Sequence, residues 1–133
     1  MAVVLNKLYG VEAALETQLK AKGIRDSEDL LKLHRSLGSA QALAARLELD
    51  VETASALVNR AQLVRIRGIG EVYTGLLEAA GVKSVQDLAL KSPEHLRGQF
   101  ERINESEKVV GRAPSLAMVN GWVTKAQKFP LAK

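Results

Sequence analysis

The sequence predicts an all-α fold in which two tandem repeats of short helices pack as one compact domain. Its 133 residues are 47% hydrophobic but only 4% aromatic, so the core must consist mainly of Leu, Val, Ile and Ala side chains. Strong helix formers dominate, and no run of β-branched residues alternates with polar ones as a half-buried strand would. Glycines divide the helical pattern into segments too short to be stable alone, so the helices must bury their apolar faces against one another.

An internal repeat is the second observation that supports this fold. The segment that begins at Gly10 recurs at Gly68, with an offset of 58 residues and no gap as far as Leu88. The identical pairs are Gly10/Gly68, Leu19/Leu77, Ala21/Ala79, Gly23/Gly81, Asp29/Asp87 and Leu30/Leu88. Glycines at the same places in both copies indicate a duplicated unit rather than a chance match.

The ends of the two repeats also correspond, at a larger offset. Residues 57–62 match residues 122–127 with an offset of 65, so the second repeat has gained seven residues. We expect these near residues 104–114, as a connecting loop or a lengthened helix end, because that stretch is charged and contains Gly and Pro. The first repeat is therefore assigned to residues 1–64 and the second to residues 65–133.

Capping residues and glycines set the expected helix boundaries. Ser or Asp before an apolar stretch can accept hydrogen bonds from the first free amides, and Gly just after a helix can adopt a left-handed conformation. The expected helices are 11–22, a short one capped by Asp26 or Ser27 that ends at Leu33, 40–47, 51–64, 70–80, 85–90, one that begins at Pro93, and one from Pro114 or Ser115 to about Lys128. Trp122 lies at helical spacing with apolar residues of the last helix, so we expect it in the core.

The composition excludes several classes of function. The chain has no cysteine, which excludes disulfides, thiolate metal sites and cysteine nucleophiles. His34 and His95 each lack a second histidine three or four residues away, and no phosphate loop or nucleophile elbow occurs. We therefore expect no metal, no cofactor and no enzyme activity. No apolar run reaches the roughly 20 residues of a membrane helix, and the N-terminus is unlike a signal peptide, so the expected location is cytoplasmic, without membrane contact.

The net charge of +4 is unevenly distributed along the chain. Residues 1–64 carry eight basic and eight acidic side chains, whereas residues 65–133 carry eleven basic and seven acidic ones. The whole excess of positive charge therefore lies in the second repeat. A net charge of this size accounts for solubility and weak non-specific binding, but does not by itself identify a ligand.

The turn at Gly68-Ile69-Gly70 is the strongest candidate for a functional site. Two glycines allow a tight backbone turn, and Ile69 can pack inward between the flanking helices. The amides around the turn would then face outward at a helix N-terminus, which favours an anion such as a phosphate oxygen. Arg65 and Arg67 precede the turn, and Lys83 follows the next glycine turn. We expect these three cations to neutralise neighbouring phosphates.

At this turn the chain resembles the helix-hairpin-helix superfamily, whose hairpin has the pattern glycine, hydrophobic residue, glycine. Residues 76–88 are similar to the stretch that follows it in the C-terminal domain of the bacterial RNA polymerase alpha subunit and in recombinase N-terminal domains. Almost the whole chain resembles a bacterial family of tandem helix-hairpin-helix proteins known as a domain of unknown function. The resemblance implies two tandem helix-hairpin-helix (SAM-like) repeats. It also implies sequence-independent binding of a DNA backbone through the amides of Gly68, Ile69 and Gly70.

Two departures from that pattern leave a second function open. The first repeat reads Gly10-Val11-Glu12 at its hairpin, without the second glycine, so we expect that hairpin to be structural only. Glu71 follows the intact hairpin, where a carboxylate would either compete with a phosphate or cap the helix. The alternative is a protein-interaction or scaffold module with no nucleic-acid binding. The partner is thus DNA or a protein, with a small phosphorylated ligand at the hairpin as a third, minor interpretation. The sequence does not indicate an oligomeric state.

Overall fold

All regular secondary structure in the described part of the chain is helical. The structure, a computed structural model, describes residues 3–108 and 111–129, apart from the side chain of Glu71. A 3-10 helix, Leu5–Lys7, is followed by α1 (Ala13–Ala21), α2 (Ser27–Leu37), α3 (Ala40–Leu47), α4 (Val51–Leu63), α5 (Gly70–Ala79), α6 (Val85–Ala89), α7 (Pro93–Glu107) and α8 (Leu116–Gln127). The predicted all-α class is confirmed for these residues.

Polar caps begin most of the helices, as the sequence predicts. In each case the side-chain oxygen accepts a hydrogen bond from the amide three residues later, which satisfies one of the free donors of the first turn. The capping residues are Asp26, Ser39, Asp50, Ser84, Ser92 and Ser115. The cap of α4 and the cap of α8 lie 65 residues apart, the offset expected for the ends of the two repeats.

Hydrogen bonds of the α1–α2 connection recur in the α5–α6 connection, 58 residues later. The Ile24 amide donates to the Leu19 carbonyl at 3.0 Å, and the Val82 amide donates to the Leu77 carbonyl at 2.8 Å. The glycines just before these donors, at 23 and 81, have φ values of +86° and +84°. The turn that follows is closed in the same way in both repeats: Asp29 and Asp87 each accept a hydrogen bond from the amide four residues earlier, at 3.0 and 3.1 Å. The sequence repeat therefore corresponds to a repeat of local structure.

Buried side chains form two clusters that meet at the end of α4. One cluster extends from Leu5 to Val64 and the other from Leu63 to Ala126. The second contains Phe100 and Trp122. The Trp122 ring lies 6.3 Å from the Phe100 ring and 5.1 Å from the ring of Tyr73, which packs against the cluster. Trp122 is only 2% exposed, so its predicted place in the core is confirmed.

The largest difference from the predicted helix bounds is at the end of α2, and the other predicted bounds agree to within two residues. The sequence predicted that the second helix ends at Leu33, but α2 continues to Leu37. It stops at Gly38, which is left-handed (φ +87°) and donates its amide to the His34 carbonyl at 2.8 Å. This prediction was wrong because nothing between Leu33 and Gly38 interrupts the helical backbone.

Helix α7 has 15 residues where α3 has eight, and it continues to Glu107. At the 58-residue offset α7 spans the counterparts of residues 35–49, so five of its extra residues lie at its start and two at its end. The expected insertion near residues 104–114 therefore stays a prediction. The following connection contains residues 109 and 110, which lie outside the described residues.

Candidate nucleic-acid interface

The chain reverses direction between α4 and α5 through a tight turn. Helix α4 ends at Leu63 and α5 begins at Gly70, so no single helix runs through this segment. Gly68 has φ +98° and Gly70 has φ +50°, which are values that L-amino acids with a side chain rarely adopt. Ile69 between them is in the right-handed helical region, with φ −76° and ψ −59°. A right-handed residue followed by a left-handed one turns successive amides toward a common concave side, an arrangement that can bind an anion.

Ile69 anchors this turn in the second core cluster, and it is only 1% exposed. Its amide donates to the Ile66 carbonyl at 3.2 Å, and its carbonyl accepts from the Tyr73 amide at 3.3 Å. The side chain and the backbone of Ile69 are therefore both committed to the fold. This contradicts the expectation that the Ile69 amide is free for a ligand, because that amide closes the turn.

The amides on either side of Ile69 have no such partner. Within residues 3–108 and 111–129, leaving aside the Glu71 side chain, no acceptor is found for the amides of Gly68, Gly70 and Val72. The N-cap residue, Ile69, has no side chain that could accept a hydrogen bond from the first turn of α5. Gly68 is exposed, and space around the missing Cβ of Gly70 is open to at least 4 Å. The start of α5 therefore carries free donors, together with the positive end of the helix dipole.

Thr74 is fully buried one turn into α5, and its hydroxyl is not free to donate a hydrogen bond to a ligand. It donates to the Gly70 carbonyl at 2.8 Å, in the usual back-bonding arrangement of a helical threonine. The polar side chain is thereby satisfied inside the core.

The two arginines that precede the turn have different surroundings. Arg67 is exposed, and the described residues provide no acid that pairs with its guanidinium. Arg65 lies against α2 instead, with its Nε 3.0 Å from Glu28 Oε2. The distance is that of an ion pair, but the Nε–H direction is not that of a hydrogen bond, and this buried oxygen has no other partner. Glu28 therefore compensates much of the Arg65 charge.

Lys83 lies away from the turn. It lines a groove of about 410 Å³ with Val51 and Glu52, from the first turn of α4, and with Glu78, near the end of α5. The ten residues of α5 span about 15 Å at 1.5 Å per residue, and the turn is at the opposite end of that helix. The structure thus brings Arg67 to the turn, with Arg65 beside α2, but does not bring Lys83 there.

The corresponding turn of the first repeat is covered. Gly10 has φ +83°, like its counterpart Gly68, but a Cβ built on it would lie 2.5 Å from Nη1 of Arg60. This guanidinium is itself paired with Glu78 and lies over the Tyr9 ring, 5.4 Å from the ring centre. The space in front of Gly10 is therefore occupied by the protein's own side chains.

Comparison with known families adds an assignment without a function. Residues 9–129 match the family described as a domain of unknown function, DUF4332. The chain belongs to that family. No curated protein and no solved structure matches the chain. The DUF4332 match includes the turn, both arginines, Lys83 and all of α8, so each candidate residue lies within the family's own segment.

Two residues of the DUF4332 segment that the sequence analysis did not assign to the site also reach the turn. Lys125 of α8 donates from Nζ to the Arg67 carbonyl at 3.3 Å. Trp122, one turn earlier in α8, has its Nε1 3.0 Å from the point that a Cβ would occupy on Gly68. The 65-residue offset makes Lys125 the counterpart of Arg60, but only the structure shows that Arg60 covers the first turn, so no sequence signal identified Lys125.

The described residues show no sign of two other classes of site. No three His, Asp or Glu side chains among residues 3–108 and 111–129 come together as metal ligands would. None of the described helices combines the length and the apolar character needed to cross a membrane.

Proposed function

We propose that this protein is a non-enzymatic module that binds the backbone of nucleic acid, DNA in the first place, weakly and without sequence preference. The binding element is the turn at Gly68-Ile69-Gly70. The observation that carries the proposal is the set of free amides at Gly68, Gly70 and Val72, which surround a buried Ile69 at the start of a ten-residue helix. A phosphate oxygen accepts hydrogen bonds from such amides and is favoured by the positive end of the helix dipole.

The chemistry of the turn supports a backbone ligand rather than a base. Amides and arginines at a turn recognise phosphate groups, which every nucleotide carries, so they fix position without reading sequence. Trp122 is buried and packed against Tyr73 and Phe100, so it cannot stack on a base as binders of single strands require. A site with this composition binds weakly and loses affinity with added salt.

Arg67 is the principal cation of the proposed site. It is exposed and directly precedes the turn, whereas Arg65 shares its charge with Glu28. Lys83, at the other end of α5, would meet only a more distant part of the same strand. The number of neutralised phosphates is therefore two or three.

The proposal includes the interpretation of the chain as two tandem helix-hairpin-helix repeats. The hydrogen bonds that recur at the 58-residue offset support it, as do left-handed glycines at both Gly10 and Gly68. Under this interpretation the first hairpin is structural, because Arg60 occupies the space in front of Gly10. The second hairpin alone then binds the ligand.

A salt-dependent titration of a labelled DNA duplex tests this function. For two or three neutralised phosphates, the logarithm of the binding constant should fall with the logarithm of salt concentration at a slope between about −1.8 and −2.7. A control duplex of unrelated sequence should give the same affinity. Failure of duplex and single-stranded DNA to bind at low salt would refute the proposal.

The second candidate is a protein-interaction module, and the exposed apolar side chains favour it. Val72, in the first turn of α5, is 59% exposed, and Leu90, after α6, is 86% exposed. An apolar side chain beside the free amides suits a protein partner better than a phosphate backbone. This candidate predicts that the pure protein retains a protein partner after nuclease treatment, and that Val72→Ser removes it.

A further inference from the structure

The five-membered ring of Trp122 lies against the candidate turn, next to Gly68. Its Nε1 lies 3.0 Å from the point that a Cβ would occupy on Gly68, and its Cδ1 lies 3.8 Å from the same point. The edge of the indole that carries the N–H, rather than the face of the ring, is therefore directed at the turn. Any side chain at position 68 would cover this edge, so glycine leaves it open.

The indole N–H has no acceptor among the described residues. Trp122 is only 2% exposed as a whole, but its Nε1 is not among the described buried polar atoms that lack a partner, so solvent reaches this atom. Packing against Tyr73 and Phe100 holds the ring in place and leaves the N–H at the surface of the turn. A donor that is fixed there, beside amides that also lack an acceptor, is available to an acceptor from outside the chain.

Lys125 brings a positive charge to the same place. It lies three residues after Trp122, and therefore on the same side of α8. Its Nζ donates one hydrogen bond to the Arg67 carbonyl, and an ammonium group has three such donors. The described residues supply no acid that pairs with it, so the charge is held at the turn with donors to spare.

The corresponding cation of the first repeat, Arg60, is paired with an acid. Arg60 is the counterpart of Lys125 at the 65-residue offset, and it too lies against the turn of its own repeat. There Glu78 pairs with the guanidinium through two hydrogen bonds, at 2.7 and 3.2 Å. The same position thus carries a cation paired with an acid at the covered turn and, among the described side chains, a cation without an acidic partner at the open turn.

We propose that Trp122 and Lys125 of α8 are phosphate ligands at this turn. The Trp122 N–H and the free amides donate to one phosphate group, and the Lys125 ammonium neutralises that group or its neighbour. This inference rests on the proposed function and deepens it, because the site is then formed by the turn and by α8 together. The ligand class is a phosphodiester of a nucleic-acid backbone.

Two variants separate the two roles. Trp122→Phe keeps an aromatic ring for Tyr73 and removes the neutral donor, so it should weaken duplex binding about tenfold without changing the salt slope. Lys125→Gln removes a charge, so it should make the slope shallower by about 0.9. Lys20→Gln is the matched control, since it removes the same charge from an exposed position on α1 and should change neither quantity.

A structural role for Trp122 would show in a third variant. Phe100→Leu disturbs the packing around the indole and keeps its N–H. The proposal predicts near-normal affinity for Phe100→Leu, and circular dichroism should show native helix content in every variant. Equal losses for Phe100→Leu and Trp122→Phe would overturn the ligand role of the indole.

The outcomes for the two proposals are distinguishable. If wild-type protein binds duplex and both α8 variants bind it with unchanged affinity and slope, the inference about α8 fails and the proposed function stands. If wild-type protein does not bind duplex, the proposed function fails.

Trp122 is the only tryptophan, so its fluorescence reports on the site directly. A response to duplex at far lower concentration than to inorganic phosphate supports a polymer backbone, and a response to inorganic phosphate alone would contradict it.

Discussion

Arg60 and Glu78 connect α4 to α5 through a pair of hydrogen bonds, from Nε to Oε2 at 2.7 Å and from Nη2 to Oε1 at 3.2 Å. The two side chains are only 18% and 15% exposed. The same guanidinium lies over Tyr9 and against Gly10, so it also fixes the first turn of the chain. One buried ion pair thereby joins three segments that are distant in sequence.

Removal of one partner of this pair should destabilise the fold. We expect Glu78→Gln to lower the free energy of unfolding by about 1–3 kcal/mol, because Arg60 keeps its charge in a largely buried place with a weaker partner. Urea denaturation measures the effect. The control is Glu16→Gln, whose partner Lys20 is 56% exposed, and which should cost no more than about 0.5 kcal/mol. Equal costs for the two variants would contradict a structural role for the Arg60–Glu78 pair.

The two copies of the duplicated turn should contribute alike to stability. Asp29 and Asp87 each accept a hydrogen bond from a turn amide, that of Arg25 and that of Lys83. Replacement of either aspartate by alanine leaves that amide without its partner and should cost about 1 kcal/mol. Thermal or urea unfolding of the two single variants checks this. A large cost for one variant and none for the other would show that the two turns are not equivalent.

The Asp50 cap should make stability depend on acid. Hydrogen bonds from the Thr53 side chain and backbone lower the pKa of Asp50 below its ordinary value of 3.8. A carboxyl whose pKa is lower in the folded state stabilises the fold above its unfolded pKa, and this contribution is lost as pH falls through the folded pKa. Asp50→Asn keeps a capping oxygen that does not titrate. As the pH falls from 5 through the folded pKa of Asp50, the free energy of unfolding should therefore decrease less for Asp50→Asn than for the wild type. Urea midpoints at several pH values measure this. Identical acid dependence in the two proteins would refute this prediction.

The arginines next to the turn should contribute unequally to DNA binding. Arg67→Gln should make the salt slope shallower by about 0.9, because it removes an exposed cation that has no acidic partner among the described side chains. Arg65→Gln should have a smaller effect, since Glu28 already compensates that charge. Arg46→Gln, on the exposed side of α3, is the control for net charge and should leave the slope unchanged. A larger effect of Arg65 than of Arg67 would show that the DNA follows a different path.

The sequence predicted the elements that local chemistry determines. Capping residues such as Ser39 and Ser115 specify helix starts because their oxygens satisfy amides only three residues away. The turn at Gly68–Gly70 could also be predicted from the sequence, because glycine is the residue that tolerates a positive φ. The end of α2 was missed, since the glycine at position 38 is the stop signal and it lay beyond the predicted boundary.

Contacts between distant segments could not be predicted in this way. Nothing near Arg65 in the sequence indicates that it pairs with Glu28, and only the length and direction of α5 place Lys83 far from the turn. The approach of Trp122 to Gly68 depends on how α8 packs beneath the turn. Helical spacing predicted correctly that Trp122 is buried, but spacing along one helix cannot show what the indole N–H faces.

The most direct test of the account is a salt-dependent duplex titration of a Gly68→Ala/Gly70→Ala variant beside the wild type. Methyl groups at these two positive-φ positions should disturb the turn that presents the amides, and one of them would also press on Trp122. Gly98→Ala, in the middle of α7, is the control, and circular dichroism verifies that all three proteins are folded. We predict at least tenfold weaker binding at low salt for the double variant and wild-type binding for Gly98→Ala. A folded double variant that binds DNA as tightly as the wild type would contradict the claim that this turn holds the phosphate.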